Sequence, residues 1–109
     1  MNNKRIIPRE LARSDVEAAI DYYAREAGTE VAFRFIDALQ AAYDLIASHP
    51  EPGSLQYAYE LGLPDLQSVS LKRHPYLVFH HHQPGHVDVW RVLHARRDIP
   101  QWMQEPDNH

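Results

Sequence analysis

The 109-residue sequence contains no cysteine and only four glycines. The absence of thiols excludes a disulfide framework, a cysteine nucleophile and a zinc site with cysteine ligands. Because the glycines are scattered, the chain has no glycine-rich phosphate-binding loop. No apolar run approaches the ~18 residues of a membrane-spanning helix, and the first ten residues lack the apolar core of a signal peptide. We therefore expect a cytoplasmic protein that does not bind membranes.

Basic residues are also in the minority. The chain has 11 Lys and Arg against 15 Asp and Glu, which gives a formal charge of -4. Binding to nucleic-acid phosphates needs a basic surface, and this chain supplies one only locally. Its length fits one domain with at most a short tail. We place that domain at residues 1–103 and a hydrophilic tail at residues 104–109.

The hydrophobic periodicity of the chain changes near residue 66. Before it, apolar residues recur at helical spacing in two segments, one after a capping box at Ser14–Glu17 and one after Thr29. The short connection at Gly28 predicts an antiparallel helical hairpin. After it, residues 67–72, 76–82 and 87–93 alternate like strands, and residues 4–9 can add an edge strand. The expected fold is α+β: an N-terminal strand and the helical hairpin packed on a three- to four-stranded, mostly antiparallel sheet.

The register of the last hairpin decides which residues share a face of the sheet. A three-residue turn at Gln83–Gly85 pairs His82 with His86 and sends alternate residues to opposite faces. Leucine, phenylalanine and valine then face the helices. The opposite face carries Tyr76, Val78, His80, Trp90, Val92 and His94. This second face is too apolar for water alone, so we expect a chain tail or a partner to cover it.

Three consecutive histidines, His80 to His82, raise the question of a metal site. In the register above, His80 and His82 lie beside His86 and Asp88, a ligand set that suits zinc or iron. Histidines near a hairpin tip are more commonly solvated polar residues. We therefore predict no metal and no cofactor.

Cationic side chains follow the ends of two predicted strands, at residues 72–74 and 91–97. Arginine binds phosphate or carboxylate through two parallel hydrogen bonds, so such a cluster suits an anionic partner. RNA cleavage there needs a general base, a general acid and cations beside the phosphate. The residues available for it are Arg73, Tyr76, His94, Arg96 and Arg97. The structural alternative places Arg97 and Asp98 in ion pairs that hold the C-terminal segment.

The last strands carry the most specific pattern: Tyr76 to Phe79, a Pro-Gly turn, and then a stretch that ends Arg91-Val-Leu-His-Ala-Arg-Arg-Asp-Ile-Pro100. With the order of elements from about Ile7 to Trp102, it resembles the ParE branch of the ParE/RelE toxin superfamily. The resemblance marks four residues as a structural motif: Arg91, His94, Arg97 and Asp98.

The resemblance implies a small bacterial toxin, bound in a hetero-oligomer by a ParD-like antitoxin and meeting DNA only through that antitoxin. ParE-like members inhibit DNA gyrase, whereas RelE-like relatives cut mRNA on the ribosome. The acidic charge, and Trp102 where nucleases often hold a catalytic group, favour an inhibitor of gyrase or topoisomerase IV with no catalytic residues. A metal-independent endoribonuclease and an inactive antitoxin-binding partner are the alternatives.

The antitoxin is expected to contribute an amphipathic helix. It would cover either the second sheet face or the groove beside the helical hairpin. On the sheet face the expected contacts are Tyr76, Val78, Trp90 and Val92. Trp90 is the expected centre, because tryptophans often dominate interface energies.

Overall fold

The structure is a computed structural model that describes residues 3–49, 54–55, 58, 62–63 and 65–96. Its elements follow in the order β1 (Arg5–Pro8), α1 (Glu10–Glu26), α2 (Thr29–Ser48), β2 (Gln67–Ser70), β3 (Tyr76–Gln83) and β4 (His86–His94). The strands form a sheet in the order β1-β4-β3-β2. Strand β1 is parallel to β4, and the β2–β3 and β3–β4 pairs are antiparallel. The predicted α+β fold is confirmed. The predicted tail, Arg97 and Asp98 lie outside the described residues.

Helix α1 begins a full turn earlier than the capping box predicts. Its first residue is Glu10, Arg9 occupies the N-cap in extended backbone, and Ser14 therefore lies inside the helix. Packing explains the early start, because Ala12 is fully buried in the core. At the other end of α1, Gly28 has φ +99°, a left-handed conformation that allows α2 to begin at once. None of the described helices is long and apolar enough to cross a membrane.

The main hydrophobic core lies between the two helices and one face of the sheet. Each fully buried large side chain there contributes roughly 1.5–3 kcal/mol relative to an exposed one. Its buried helical members are Ala12, Ala19, Phe35, Leu39, Ala42 and Ile46, and its buried members from the strands and the β2–β3 turn are Val69, Leu71, Tyr76, Val78, Val87, Val89 and Val92.

The β3–β4 hairpin corrects the predicted register. Its turn has two residues, Pro84 and Gly85, so Gln83 pairs with His86. Gly85 has φ +84°, the positive value that a type II turn requires at its second central residue, and Pro84 suits the first. Further along, the register shifts between Phe79 and His80, which leaves Trp90 as the extra residue of a β-bulge.

The new register reverses part of the face assignment. Tyr76, Val78 and Val92 are buried on the helix side, with at most 5% of each residue exposed. The prediction that these three residues form an open second face is therefore wrong. The second face instead carries Phe79 and Leu93, flanked by Leu77, Trp90 and Ala95. Residues between α2 and β2 pack on it, namely Ala58, Leu63 and Leu66.

Strand β4 extends beyond the end of β1, and α1 covers the free edge. Strand β1 ends at Pro8, opposite Val89, so the N–H of Val92 has no strand partner on the β1 side. Asp15 of α1 accepts a hydrogen bond from that N–H at 3.0 Å. The same carboxylate binds the buried Arg91 guanidinium through two hydrogen bonds of 2.7 Å. This contact ties α1 to Arg91, the first residue of the structural motif.

Candidate functional site

The β2–β3 turn presents the first cationic cluster. Its backbone is tight: the N–H of Leu71 donates to the carbonyl of Tyr76, and the N–H of Tyr76 donates to the carbonyl of His74, at 3.0 and 2.8 Å. Arg73 takes up a left-handed backbone with φ +66°. That conformation costs a non-glycine residue roughly 1–2 kcal/mol. The turn thus places an arginine at a backbone conformation that glycine or asparagine usually adopts.

A cleft of about 570 Å³ lies between this turn and the first half of α2. Three permanent cations line it, Arg34, Lys72 and Arg73, against the single carboxylate of Asp37. Glu30 lies 4.0 Å from Arg34 in an exposed pair, which neutralises little. The cleft is therefore locally positive on a chain whose formal charge is -4. Its remaining lining residues are Tyr23, Val31, Ala38 and His74.

An aromatic cluster positions two histidines at this end of the sheet. The rings of Tyr23, Phe35 and Tyr76 lie 5.2–6.1 Å apart between centroids. His74 meets the rings of Tyr23 and Phe35 edge-on, and His94 meets that of Tyr76 at 5.3 Å. Such contacts contribute about 0.5–1.5 kcal/mol each beyond their burial. His74 is further fixed because its Nδ1 donates to the carbonyl of Lys72 at 3.0 Å.

The residues predicted for RNA cleavage fall into different environments. Arg73 and Arg96 are exposed and His94 is half-buried, but Tyr76 is a core residue with 5% exposure. The backbone N–H of Arg96 donates to Nδ1 of His94 at 3.2 Å. Arg97 lies outside the described residues. The structure therefore places Tyr76 and His94 in one ring pair, with the tyrosine facing the core.

The expected convergence of cations is only partly present. Lys72, Arg73 and His74 share the cleft, but Arg91 is engaged with Asp15 on α1. Sequence reasoning missed two residues here. Helical spacing alone places Arg34 on the outward face of the second helix, and although Asp15 belongs to the family resemblance, the sequence does not give its partner. No local signal identifies either, because their partners are distant in the sequence.

The histidine run does not form the metal site considered above. His80 and His82 share the helix side of the sheet, with ring centroids 5.4 Å apart. His86 and Asp88 lie on the opposite face of the sheet. There His86 lies 3.4 Å from Asp88, and Asp88 also binds Arg9. The two-residue turn separates the two groups, so the proposed grouping of four ligands is wrong. Within the described part of the chain, no group of three or more His, Asp or Glu residues is placed to hold a metal.

His80, which is buried, and His82, which is half-buried, form an edge-on ring pair on the helix side of the sheet. Nδ1 of His80 donates to the carbonyl of Val78 at 3.3 Å, and Lys4 donates to Nδ1 of His82 at 3.4 Å. The Nε2 atoms of both rings are buried without a hydrogen-bond partner among the described residues. Burial lowers the pKa of His80 to about 4, and burial followed by Lys4 lowers the pKa of His82. Both rings are therefore neutral near pH 7.

Trp90 is the centre of the opposite face. Its ring stacks on His81 at 4.8 Å, and the Arg9 guanidinium lies 5.0 Å from its centroid. Arg9 is held there by its ion pair with Asp88 at 3.3 Å. Burial and the nearby Arg9 lower the pKa of His81, so this stack is neutral apart from the guanidinium. Of the four residues predicted to bind the antitoxin, Trp90 is half-buried and the other three are buried.

Comparisons with known proteins identify a family and a fold. The sequence model of the ParE toxin of type II toxin-antitoxin systems, parDE, matches residues 6–99. A solved structure described as the chromosomal ParDE toxin-antitoxin system from P. aeruginosa contains a chain that superposes with a TM-score of 0.61 at 13% identity. The match covers 85% of this chain and 97% of that chain. No curated protein matches the sequence.

Proposed function

The chain belongs to the ParE toxin family of type II toxin-antitoxin systems, and from this membership we propose that it inhibits DNA gyrase by protein–protein binding. A ParD-like antitoxin neutralises it in a hetero-oligomer, which contacts DNA through the antitoxin. The observation that carries the proposal is the family match over residues 6–99. The similar chain from P. aeruginosa, which comes from a ParDE system, supports an antitoxin partner.

The environments of two motif residues support binding rather than catalysis. Tyr76, a candidate for proton transfer, packs against Phe35 and Tyr23 in the core. Arg91, which begins the second run of cations and was expected to be a structural-motif residue, is 7% exposed and bound to Asp15. A general acid must reach the substrate, and a phosphate-binding arginine must be free to turn toward it. These residues instead stabilise the fold.

The direct test is a supercoiling assay with purified gyrase and relaxed plasmid. We expect the purified chain to block supercoiling, and we expect prior addition of the antitoxin from its own operon to restore it. A parallel decatenation assay with topoisomerase IV decides between the two enzymes. Normal activity of both topoisomerases in the presence of excess folded chain would contradict the proposal.

A ribosome-dependent endoribonuclease is the second candidate, and the cationic cleft is the observation in its favour. Arg34, Lys72 and Arg73 line a space that suits a phosphate group. Mapping of mRNA 5′ ends after induction separates the two functions. Our proposal predicts no new cleavage sites. Sites that appear with the natural chain and vanish with His94→Ala, provided that this variant folds, would establish the nuclease instead.

An inactive antitoxin-binding partner is a third outcome of the same experiments. Such a chain binds its antitoxin tightly, yet it neither slows bacterial growth nor inhibits a topoisomerase. Growth arrest after expression of the chain alone, relieved by the antitoxin, argues against it.

A further inference from the structure

The cationic cleft between the β2–β3 turn and α2 holds positive charge that no described acid neutralises. Neither Lys72 nor Arg73 forms an ion pair with a described residue. Arg34 lies 4.0 Å from Glu30 in an exposed pair, which holds the guanidinium only weakly. All three cationic residues are exposed. The cleft therefore offers its cations to an anion from solution.

The backbone of the β2–β3 turn adds hydrogen-bond donors beside these cations. The N–H groups of Lys72 and Arg73 donate to no described residue. Arg73 has a left-handed backbone with φ +66°, and successive N–H groups in such turns form concavities that bind anions. Backbone strain also concentrates at ligand-binding sites. One short segment thus provides both positive charge and free backbone donors.

Contacts with the aromatic cluster fix the shape of this turn. The ring of His74 packs edge-on against Tyr23 and Phe35, with centroids 5.4 and 5.7 Å apart. Its Nδ1 donates to the carbonyl of Lys72 at 3.0 Å, which links the ring to the backbone of the turn. A ligand that binds a preformed turn loses less free energy to ordering the protein.

The cleft has room for more than a single phosphate or sulfate ion. Its volume of about 570 Å³ lies within the ~300–1,000 Å³ of small-molecule pockets. Val31, Ala38 and the half-buried Tyr23 line it together with the cations. Apolar walls with a few polar groups are usual in sites for organic ligands. The lining therefore suits a ligand with a polyanionic end and an organic body.

We propose that this cleft binds a small organic polyphosphate, the chemical class that includes nucleoside diphosphates and triphosphates. Its phosphate groups bind the side chains of Arg34, Lys72 and Arg73 and the free N–H groups of the turn. Its organic body lies on Val31 and Tyr23. Arginine binds phosphate through two parallel hydrogen bonds, and lysine binds it as a point charge. The inference requires neither the topoisomerase nor the antitoxin.

A compact ligand suits the cleft better than a strand of nucleic acid. A strand carries a phosphate at every nucleotide and needs cations along its whole path. Here the cations come from one turn and the first half of α2, and further along α2 the adjoining surface is apolar at Ala41, Ala42 and Leu45. The single carboxylate of the lining, Asp37, repels additional phosphates. A short polyphosphate places all its charge beside the three cations.

Calorimetric titration of the purified chain tests the ligand class with three probes: ATP, inorganic triphosphate and adenosine. EDTA is present, so that no divalent cation masks the phosphates. We expect ATP and triphosphate to bind and adenosine to show no measurable binding, because the cations hold the phosphate groups. We expect ATP to bind more tightly than triphosphate, because its nucleoside covers apolar wall.

Substitutions locate the site. Arg34→Glu reverses a charge in the cleft, and Arg13→Glu makes the same change at an exposed position of α1. Arg73→Gly removes a second guanidinium and leaves a residue that adopts the left-handed backbone without strain. We expect both cleft variants to bind ATP at least about tenfold more weakly and Arg13→Glu to bind within about twofold of the natural chain. Thermal denaturation checks that each variant is folded.

Backbone amide NMR spectra test the turn without any substitution. On titration of the natural chain with triphosphate, we expect the largest chemical-shift changes at the N–H groups of Lys72 and Arg73. The N–H of Arg13, another exposed cationic residue, should change little. This measurement remains decisive if a cleft variant fails to fold.

Several results would contradict the inference. Equal ATP binding by the natural chain and both cleft variants, or shift changes centred away from the turn, would overturn this site. An affinity for ATP no higher than that for triphosphate would overturn the contact with Val31 and Tyr23. A single-stranded RNA that binds more tightly than ATP, and whose binding Arg34→Glu weakens, would assign the cleft to nucleic acid instead. Because every measurement uses the isolated chain, a failure to inhibit gyrase leaves these outcomes unchanged.

Discussion

At the scale of single residues, the ion pair of Arg91 with Asp15 is held by two short hydrogen bonds of 2.7 Å. Both side chains are nearly buried, at 9% and 12% exposure, and the carboxylate also accepts the N–H of Val92. The same carboxylate acts on a neighbour, since burial and then Asp15 raise the pKa of Tyr43 to about 12. A buried ion pair is costly to break because one charge remains without compensation.

We therefore predict that Asp15→Ala destabilises the fold by roughly 3–5 kcal/mol. The substitution leaves the Arg91 guanidinium and the Val92 N–H without their partner. Asp21→Ala is the control, because Asp21 is an exposed acid on the same helix. Urea denaturation at pH 7 measures both. Similar midpoints for the two variants would show that the contact contributes little to stability.

His80 gives the fold a dependence on pH. Burial lowers its pKa from 6.5 to about 4, so between these values the unfolded chain binds more protons than the folded one. Stability is therefore complete above pH 6.5 and falls as the pH drops toward 4, by at most about 3 kcal/mol. We predict that His80→Leu flattens this loss in urea denaturation at pH 7 and 4.5. His49→Leu, at an exposed histidine, should retain the slope of the natural chain; a slope unchanged by His80→Leu would refute the assignment.

At the scale of elements, the β2–β3 turn combines backbone strain with a charged side chain. Arg73 holds φ +66°, where glycine has no steric penalty. We predict that Arg73→Gly is about 1 kcal/mol more stable than Arg73→Ala, because both remove the cation and only glycine relieves the strain. The difference between their denaturation midpoints measures it. If alanine were equal or better, the turn would not be strained at this residue.

The elements themselves were predictable, whereas their register was not. Helical and alternating periodicities identify both helices and the last three strands, because burial of one face imposes a repeat on the sequence; the N-terminal strand was expected only as a possible edge addition. The turn at Pro84 and Gly85 is also visible, but a loop of two or three residues fits the same letters. That single residue decides whether Val78 faces helix or solvent. The bulge at Trp90 then shifts the register of the β3–β4 pair by one residue, and no local sequence pattern predicts it.

The candidate site was predictable only where its residues are neighbours in the sequence. Lys72, Arg73 and His74 are adjacent in the sequence, and their clustering could be read directly. Arg34 joins them only because α2 packs over the sheet with that side toward the turn. From helical spacing alone, Arg34 is expected to point into solvent. A contact between distant segments depends on how the elements pack, which periodicity leaves open.

At the scale of the whole molecule, the charge is unevenly distributed. The formal charge of -4 describes the chain as a whole, while the cleft beside the β2–β3 turn is lined by three cations and one carboxylate. A protein that binds the ribosome's RNA through phosphates usually carries a broad basic face. Here the basic surface on the described residues near the turn is small, with three cations and one carboxylate.

The salt dependence of RNA binding tests this distribution directly. For single strands, the slope of log K against log salt is about -0.7 for each phosphate neutralised. Three cleft cations therefore permit a slope no steeper than about -2, and the acidic remainder of the chain weakens the binding further. We predict weak binding of a single-stranded RNA, with a slope of at most that size, measured by fluorescence anisotropy from 50 to 200 mM salt. Arg73→Ala should make the slope shallower, whereas Arg13→Ala should leave it unchanged. A much steeper slope requires phosphate contacts beyond the cleft, and together with tight binding it would favour the nuclease over the topoisomerase inhibitor.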